Sequence, residues 1–357
     1  MDTYPISIPE WESIARSKID PVAWNYVASA AADEHTMRWN VERWAAIRLA
    51  PHCLVDGSQI DTSLTLLGTD LAHPVLLAPT AAHRLVHPDG EIATAYGASG
   101  AEAVFVASTL ATTSIEDIGA ACSAPMWFQL YVHRDRGFTR ALIQRAAAAG
   151  AKALVLTVDT AVSARDRDRR EKPGLPSGLA YANLTSQVTG VSTGDVPRHL
   201  RVYHPHIDPS VSWRDIEWLR EIADVPLVLK GVLRPDDAVR AAESGATAVI
   251  VSNHGGRNLD TAPATADALK GVVDSVADQM PVLVDGGIRR GTDVAKALCL
   301  GASAVLIGRP YLWGLAVAGA TGVQVVVETL CTELRMTMAL LGATRLSELN
   351  HDLLWHT

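Results

Sequence analysis

The sequence predicts an α/β fold, a single (β/α)8 TIM barrel with an N-terminal helical extension and a long loop after the fourth strand, on three observations. Eight short apolar runs recur from about residue 75, each followed by a loop and an alanine-rich helical stretch, which is the βα signature. The runs are continuously apolar, as expected of parallel strands covered on both faces, and not alternating. The 357 residues, 48% of them apolar, suit one long barrel domain without demanding a second. An open doubly wound sheet is the competing fold, and eight runs favour closure.

In chain order, residues 1–74 form the extension: a helix at WESIARS, an aromatic-rich segment from Trp24 to Trp44, and a hairpin-like stretch near 62–71. They are expected to cap the barrel floor and edge. The barrel, 75–341, carries the runs VLLAP (75–79), AVFVAS (103–108), MWFQLY (126–131), ALVLTVD (153–159), PLVLK (226–230), TAVIVSNH (247–254), PVLVDGG (281–287) and AVLIG (304–308). The connection 160–212 is the longest and is rich in charge, Gly, Pro and Ser, the character of a lid. Residues 342–357 form a tail, and the whole of 1–357 is one domain.

A formal charge of −8 and a pI near 5.8 argue against a nucleic-acid partner, which needs clustered basic residues. Cys53, Cys122, Cys299 and Cys331 are scattered without C-x-x-C spacing, so no metal site or disulfide framework is expected and buried reduced thiols are. The acidic, proline-interrupted N-terminus lacks the layout of a signal peptide. No apolar run is expected to reach the roughly 18 residues of a membrane span. Cytoplasmic location follows as an expectation.

Nearly every run ends in a polar or special residue: Thr80, Ser108, Gln129 and Tyr131, Thr157 and Asp159, Lys230, Ser252 and His254, Asp285, Gly308 and Arg309. Barrel enzymes place their chemistry at these strand ends. After the seventh strand, DGGIRRGTDVAKAL brings Asp285, Gly286, Gly287 and Arg289 to a helix expected to open near Thr292, and the eighth strand ends in IGRP with Gly308 and Arg309. Free N–H groups at a helix start favour an anion, and loops seven and eight are the usual barrel phosphate site. Lys230, Gln129 and Thr157 can satisfy a flat heterocycle bearing several N and O atoms. The segment VIVSNHGGRNLD (249–260) supplies His254, a base candidate that Asp159 can orient, and Arg257, an anion clamp.

In this order, APTAAH, FQLYV, LTVDT, LVLKGV, SNHGGRNLD, DGGIRRGTDV and IGRP resemble the FMN-dependent 2-hydroxy acid oxidases and dehydrogenases, a family that includes glycolate and lactate oxidases. The resemblance implies that FMN contacts Pro79, Thr80, Ala81, Ser108, Gln129, Thr157, Lys230 and Ser252, with its phosphate held by Asp285 to Arg289 and by Gly308 and Arg309. It implies that Arg257, a loop arginine and Tyr26 of NYVASAAAD clamp a substrate carboxylate, that Tyr131 bonds the substrate hydroxyl, that His254 takes a proton, and that Lys230 stabilises the reduced flavin. It further implies a homotetramer, with molecular oxygen as the acceptor and hydrogen peroxide as the product.

Three positions depart from the family pattern. Ala30 replaces a small glycine. The loop DTAVSARDRDRREK is one residue short, so Arg165 is assigned inward, with Arg167 as the fallback. Leu110 stands where glycolate oxidases carry a bulky aromatic; with Ala81 and Ala82 it predicts space for a methyl or short alkyl group, and hence L-lactate or a short homologue as substrate. The alternatives are a dehydrogenase that passes electrons to a quinone or another acceptor, a flavin-dependent isomerase, and a non-catalytic barrel, against which the polar strand ends speak.

Overall fold

In the computed structural model, residues 4–162, 175–176, 178–187, 202 and 207–355 are described. The extension starts with helix α1 (Ile8–Lys18), followed by α2 (Pro21–Ala28) and α3 (His35–Ala46). Asp20 caps α2 by accepting from the Val22 and Ala23 N–H groups, and Pro21 occupies a first-turn position where a missing N–H costs nothing. A hairpin follows, β1 (Leu64–Leu66) against β2 (Thr69–Leu71).

Eight parallel strands then close a barrel: β3 (Val75–Leu77), β4 (Phe105–Ser108), β5 (Met126–Leu130), β6 (Leu154–Thr157), β7 (Leu227–Val232), β8 (Ala248–Val251), β9 (Val282–Asp285) and β10 (Ala304–Ile307). Closure pairs Val305 with Val75 and Ile307 with Leu77. Seven of the eight apolar runs contain their strands; β7 alone continues past its run, to Val232. The Ala78 N–H still donates to the Ile307 carbonyl at 2.8 Å, and the first run leaves the ladder at Pro79, which has no N–H to donate. Between strands lie α4 (Gly90–Gly100), α5 (Ile115–Ala121), α6 (Arg136–Ala148), α7 (Arg214–Ile222), α8 (Pro235–Glu243), α9 (Thr265–Val276) and α10 (Gly291–Cys299), and α11 (Arg309–Leu341) follows the last strand.

The apolar side chains divide into two cores. One, between strands and helices, includes Val75, Leu77, Phe105, Phe128, Leu156 and Leu229. The other fills the barrel with Leu76, Val106, Trp127, Val155, Ile250 and Leu306, and is closed by Leu66 and Leu71 of the hairpin. Alternate residues of each strand serve the two cores, as a period of two requires. Each fully buried Leu, Ile or Phe contributes roughly 1.5–3 kcal/mol.

The hairpin seals the barrel interior as expected, but α2 and α3 lie at the opposite, catalytic end. Asn40 of α3 exchanges two 2.8 Å side-chain hydrogen bonds with Asn253, and the Trp44 indole N–H donates to the Gly286 carbonyl at 2.8 Å. The tail meets the extension through isolated bridges from Leu354 to Leu49 and from Arg345 to Asp61.

Two expectations need correction. Helix α11 is long and apolar enough, by length and composition, to cross a membrane; it packs against α4, α1 and α10 and breaks at Ala318 and Gly319. Of the cysteines, Cys299 and Cys331 are buried, with thiols pushed up to about 12 by burial, whereas Cys53 is exposed. Among the described residues no cluster of potential ligands is suited to a metal ion.

Candidate active site

Strand β8 ends at Val251, and the next three residues turn sharply, with His254 in the left-handed region at φ 59°. The turn is held by the His254 N–H donating to Ser252 Oγ at 3.1 Å, and Lys230 Nζ donates to the same oxygen at 2.9 Å. His254 Nδ1 lies 2.9 Å from Asp159 Oδ1. An ionised carboxylate only accepts, so Nδ1 carries the proton and Nε2 is the acceptor, the form a base needs. Asp159 approaches this closely because residue 231 is glycine: a Cβ there would lie 2.6 Å from Asp159 Cβ.

Sequence reasoning missed two residues that brace the pair. Thr160 Oγ1 donates to Asp159 Oδ1 at 3.1 Å, while Asn258 Nδ2 donates to Thr160 Oγ1 at 2.9 Å and to the Asp159 carbonyl at 2.8 Å. Thr160 adjoins Asp159 in LTVDT and Asn258 lies in HGGRN, but only the fold shows that they meet. Burial alone would raise the Asp159 carboxyl; His254, Lys230 and the Thr160 hydroxyl outweigh it and hold the group below the ordinary range.

Lys230 forms an ion pair with Asp285 at 3.0 Å. Burial opposes its charge, but Asp285 and Asp159 overcome that and raise its pKa, so it stays protonated. Next to it, Gln129 Nε2 donates to Thr157 Oγ1 at 3.0 Å and Gln129 Oε1 accepts from Ser108 Oγ at 3.2 Å. These residues line one cavity together with Pro79, Thr80, Ala81, Gly286, Gly287, Arg289, Gly308 and Arg309. Ser252 is buried behind Lys230 and acts on the cavity through it.

The cavity fits FMN on an observation of its own. Asp285 Oδ1 is a buried acceptor without a donor, and a ribityl hydroxyl is such a donor. A Cβ at Gly308 would meet nothing nearer than Thr80 Cγ2 at 3.7 Å, so the backbone there is open to a ligand. Helix α10 begins at Gly291, one residue ahead of the expected start, with Asp293 accepting from the Arg289 and Arg290 N–H groups at 2.9 and 3.0 Å. The Arg289 guanidinium stacks 5.0 Å from the Trp313 ring centroid and donates to the Ile288 carbonyl at 2.9 Å.

Arg257 is held by the end of α2. It donates from Nη1 to the carbonyls of Val27 at 3.2 Å and Ser29 at 3.0 Å, and from Nη2 to that of Tyr26 at 3.0 Å. The Nε hydrogen and one Nη2 hydrogen are not used by these three bonds, and a guanidinium can grip a carboxylate through two parallel bonds. Arg309 donates to the same Val27 and Ser29 carbonyls, at 3.1 and 3.0 Å, and to Gly255 at 3.0 Å. Tyr26 and Tyr131 line the cavity, and the Tyr26 ring lies 5.4 Å from the Arg257 guanidinium. Leu110 and Ala81 face it too, joined by Val162, Thr160 and Ile207, which sequence reasoning did not place there. Ala82 does not line it; it is buried, with its N–H on the Leu110 carbonyl at 3.1 Å. Arg165 and Arg167 lie outside the described residues.

Comparison with known proteins agrees with this geometry. The chain is 47% identical to an L-lactate oxidase of Nostoc sp. over 98% of both chains. It is 45% identical to a peroxisomal (S)-2-hydroxy-acid oxidase of Oryza sativa subsp. japonica, covering 98% of this chain and 96% of that one. A solved structure of mandelate oxidase with (S)-4-hydroxymandelic acid superposes with a TM-score of 0.91 at 36% identity, over 98% of each chain. The profile of the FMN-dependent dehydrogenases matches residues 15–356, and with a cavity whose donors and acceptors fit FMN, this chain belongs to the FMN-dependent dehydrogenase family.

Proposed function

We propose that the protein oxidises a small L-2-hydroxy acid, L-lactate or a short aliphatic homologue, to the 2-keto acid, reducing molecular oxygen to hydrogen peroxide. Bound FMN supplies the two-electron acceptor. Arg257 and Tyr26 hold the substrate carboxylate, Tyr131 bonds its hydroxyl, and His254 Nε2 takes a proton while Asp159 stabilises the imidazolium. Lys230 keeps a positive charge beside the cofactor. A carboxylate clamp suits an acid substrate and not that of an isomerase.

The observation that carries the substrate assignment is the set Leu110, Ala81, Val162 and Ile207 lining the cavity that holds His254 and Arg257. A methyl group filling such an apolar space is worth roughly 1–3 kcal/mol, or about 10–200-fold in specificity. Oxygen uptake should therefore give L-lactate and L-2-hydroxybutyrate a higher kcat/KM than glycolate, with mandelate slower than lactate and the D-enantiomers inactive. A preference for glycolate or mandelate overturns the assignment. Oxidation that needs a quinone or dye and yields no peroxide in air selects the dehydrogenase alternative. Arg165→Met should raise KM more than Arg167→Met, because Arg165 is assigned to the carboxylate.

The same reading places the protein in the cytoplasm as a homotetramer. Support for self-association comes from the exposed Leu54, Val55, Met336 and Leu340, apolar surface that it would cover. Cell fractionation and light scattering test the two points.

A further inference from the structure

Behind Thr80 lies a buried polar network that the reaction does not use. His83 Nε2 is 2.7 Å from Thr80 Oγ1, and His83 Nδ1 is 2.9 Å from Thr94 Oγ1. Tyr311 Oη contacts Thr80 Oγ1 and donates to the Ala78 carbonyl at 2.8 Å. Glu91 accepts from the His83 N–H at 3.0 Å and from the Thr112 and Thr113 hydroxyls. His83, Thr94 and Tyr311 are buried, while Thr80 is partly open and lines the cofactor cavity.

Counting protons fixes the direction of the bonds at Thr80. Burial keeps the Tyr311 phenol protonated, and its one hydrogen goes to the Ala78 carbonyl, which can only accept. The contact between Tyr311 and Thr80 must then use the Thr80 hydrogen. With that hydrogen committed, the contact between Thr80 and His83 needs a hydrogen from Nε2, and this holds whether the ring is neutral or charged. Thr80 Oγ1 is left with one lone pair and no hydrogen for a ligand.

We propose that His83 is a positioning residue for FMN: together with Tyr311 it makes the Thr80 hydroxyl a fixed acceptor, which takes a hydrogen bond from a hydroxyl of the cofactor's polyol chain. Thr80 stands beside the open backbone of Gly308, with the unpartnered oxygen of Asp285 in the same cavity. Two acceptors there match a chain of hydroxyl donors. The inference rests on the FMN site and not on the choice of substrate.

The test is a thermodynamic cycle on FMN affinity, read by quenching of flavin fluorescence as apoprotein is titrated, alongside the melting temperature of each apoprotein. Thr80→Val and His83→Leu should each weaken FMN binding about three- to tenfold, the worth of one hydrogen bond. His83→Leu should add less than twofold in the Thr80→Val background, and His83→Gln, which keeps a donor, should retain most of the affinity. If His83→Leu does not fold, Tyr311→Phe makes the same test with the His83–Glu91 pair intact: it frees the Thr80 hydrogen and should weaken FMN only where Thr80 is present. Equal losses in both backgrounds, or a lowered melting temperature with unchanged FMN affinity, overturn the proposal. Wild-type apoprotein that takes up no FMN overturns the cofactor site itself, a separate result.

Discussion

A histidine is a useful base here only while its second nitrogen keeps a proton, and Asp159 ensures that. His254→Asn should leave FMN bound, since the cofactor contacts lie on other strands, yet slow anaerobic flavin bleaching by substrate by about 10²–10⁴-fold or more. Reduction within tenfold of wild type refutes the base assignment. Asp159→Asn should have a second, pH-dependent effect. The folded-state pKa of Asp159 is lowered, so its ionisation stabilises the fold at pH values above the unfolded value of about 3.9, and that contribution is lost as the pH falls through the lower folded value. In urea denaturation the gap between wild type and Asp159→Asn should therefore be present at neutral pH and close on acidification. A gap that is constant with pH would show that the carboxylate is not stabilised by its neighbours. Thr160→Val and Asn258→Leu should lower turnover without displacing FMN, because both act on the orientation of the Asp159 carboxylate.

At the scale of elements, α4 and α11 meet where neither can carry extra bulk. A Cβ on Gly97 would lie 2.3 Å from the Ala320 carbonyl oxygen and 2.6 Å from Val323 Cβ, so Gly97→Val should destabilise by about 1–3 kcal/mol or more, seen as a lower urea midpoint at unchanged slope. Leu66→Ala, in the hairpin that plugs the barrel, should cost about 2–5 kcal/mol. Such elements differ in how openly the sequence displays them. Runs such as AVFVAS and PVLVDGG showed their strands because both faces of a parallel strand are apolar, and the polar residue that ended each run was already the site residue. The clamp on Arg257 was not visible, because its partners are backbone carbonyls of α2, identical in every sequence. Thr160 and Asn258 were hidden for a related reason: a hydrogen bond across about 100 residues leaves no local pattern. Ala82 was misplaced because its left-handed φ of 56° turns it from the cavity, a property of conformation that its residue type does not announce.

Taken as one object, the barrel is finished only by its last strand. Val75 to Leu77 must wait for Val305 to Ile307, some 230 residues later in the chain, and α11, which covers α4 and α1, follows later still. During synthesis the emerging chain therefore holds an incomplete sheet with two open parallel edges for most of its length. Edges of that kind are templates for pairing with other chains, and contacts so distant in sequence form slowly. Nascent chains should thus depend on chaperones until β10 is released. Truncation after Ser303 should give insoluble material instead of a smaller folded barrel. A circular permutant opened between β9 and β10 would only move the closing pair to those two strands, which then stand at opposite ends of the chain; it should refold from urea no faster than the natural order.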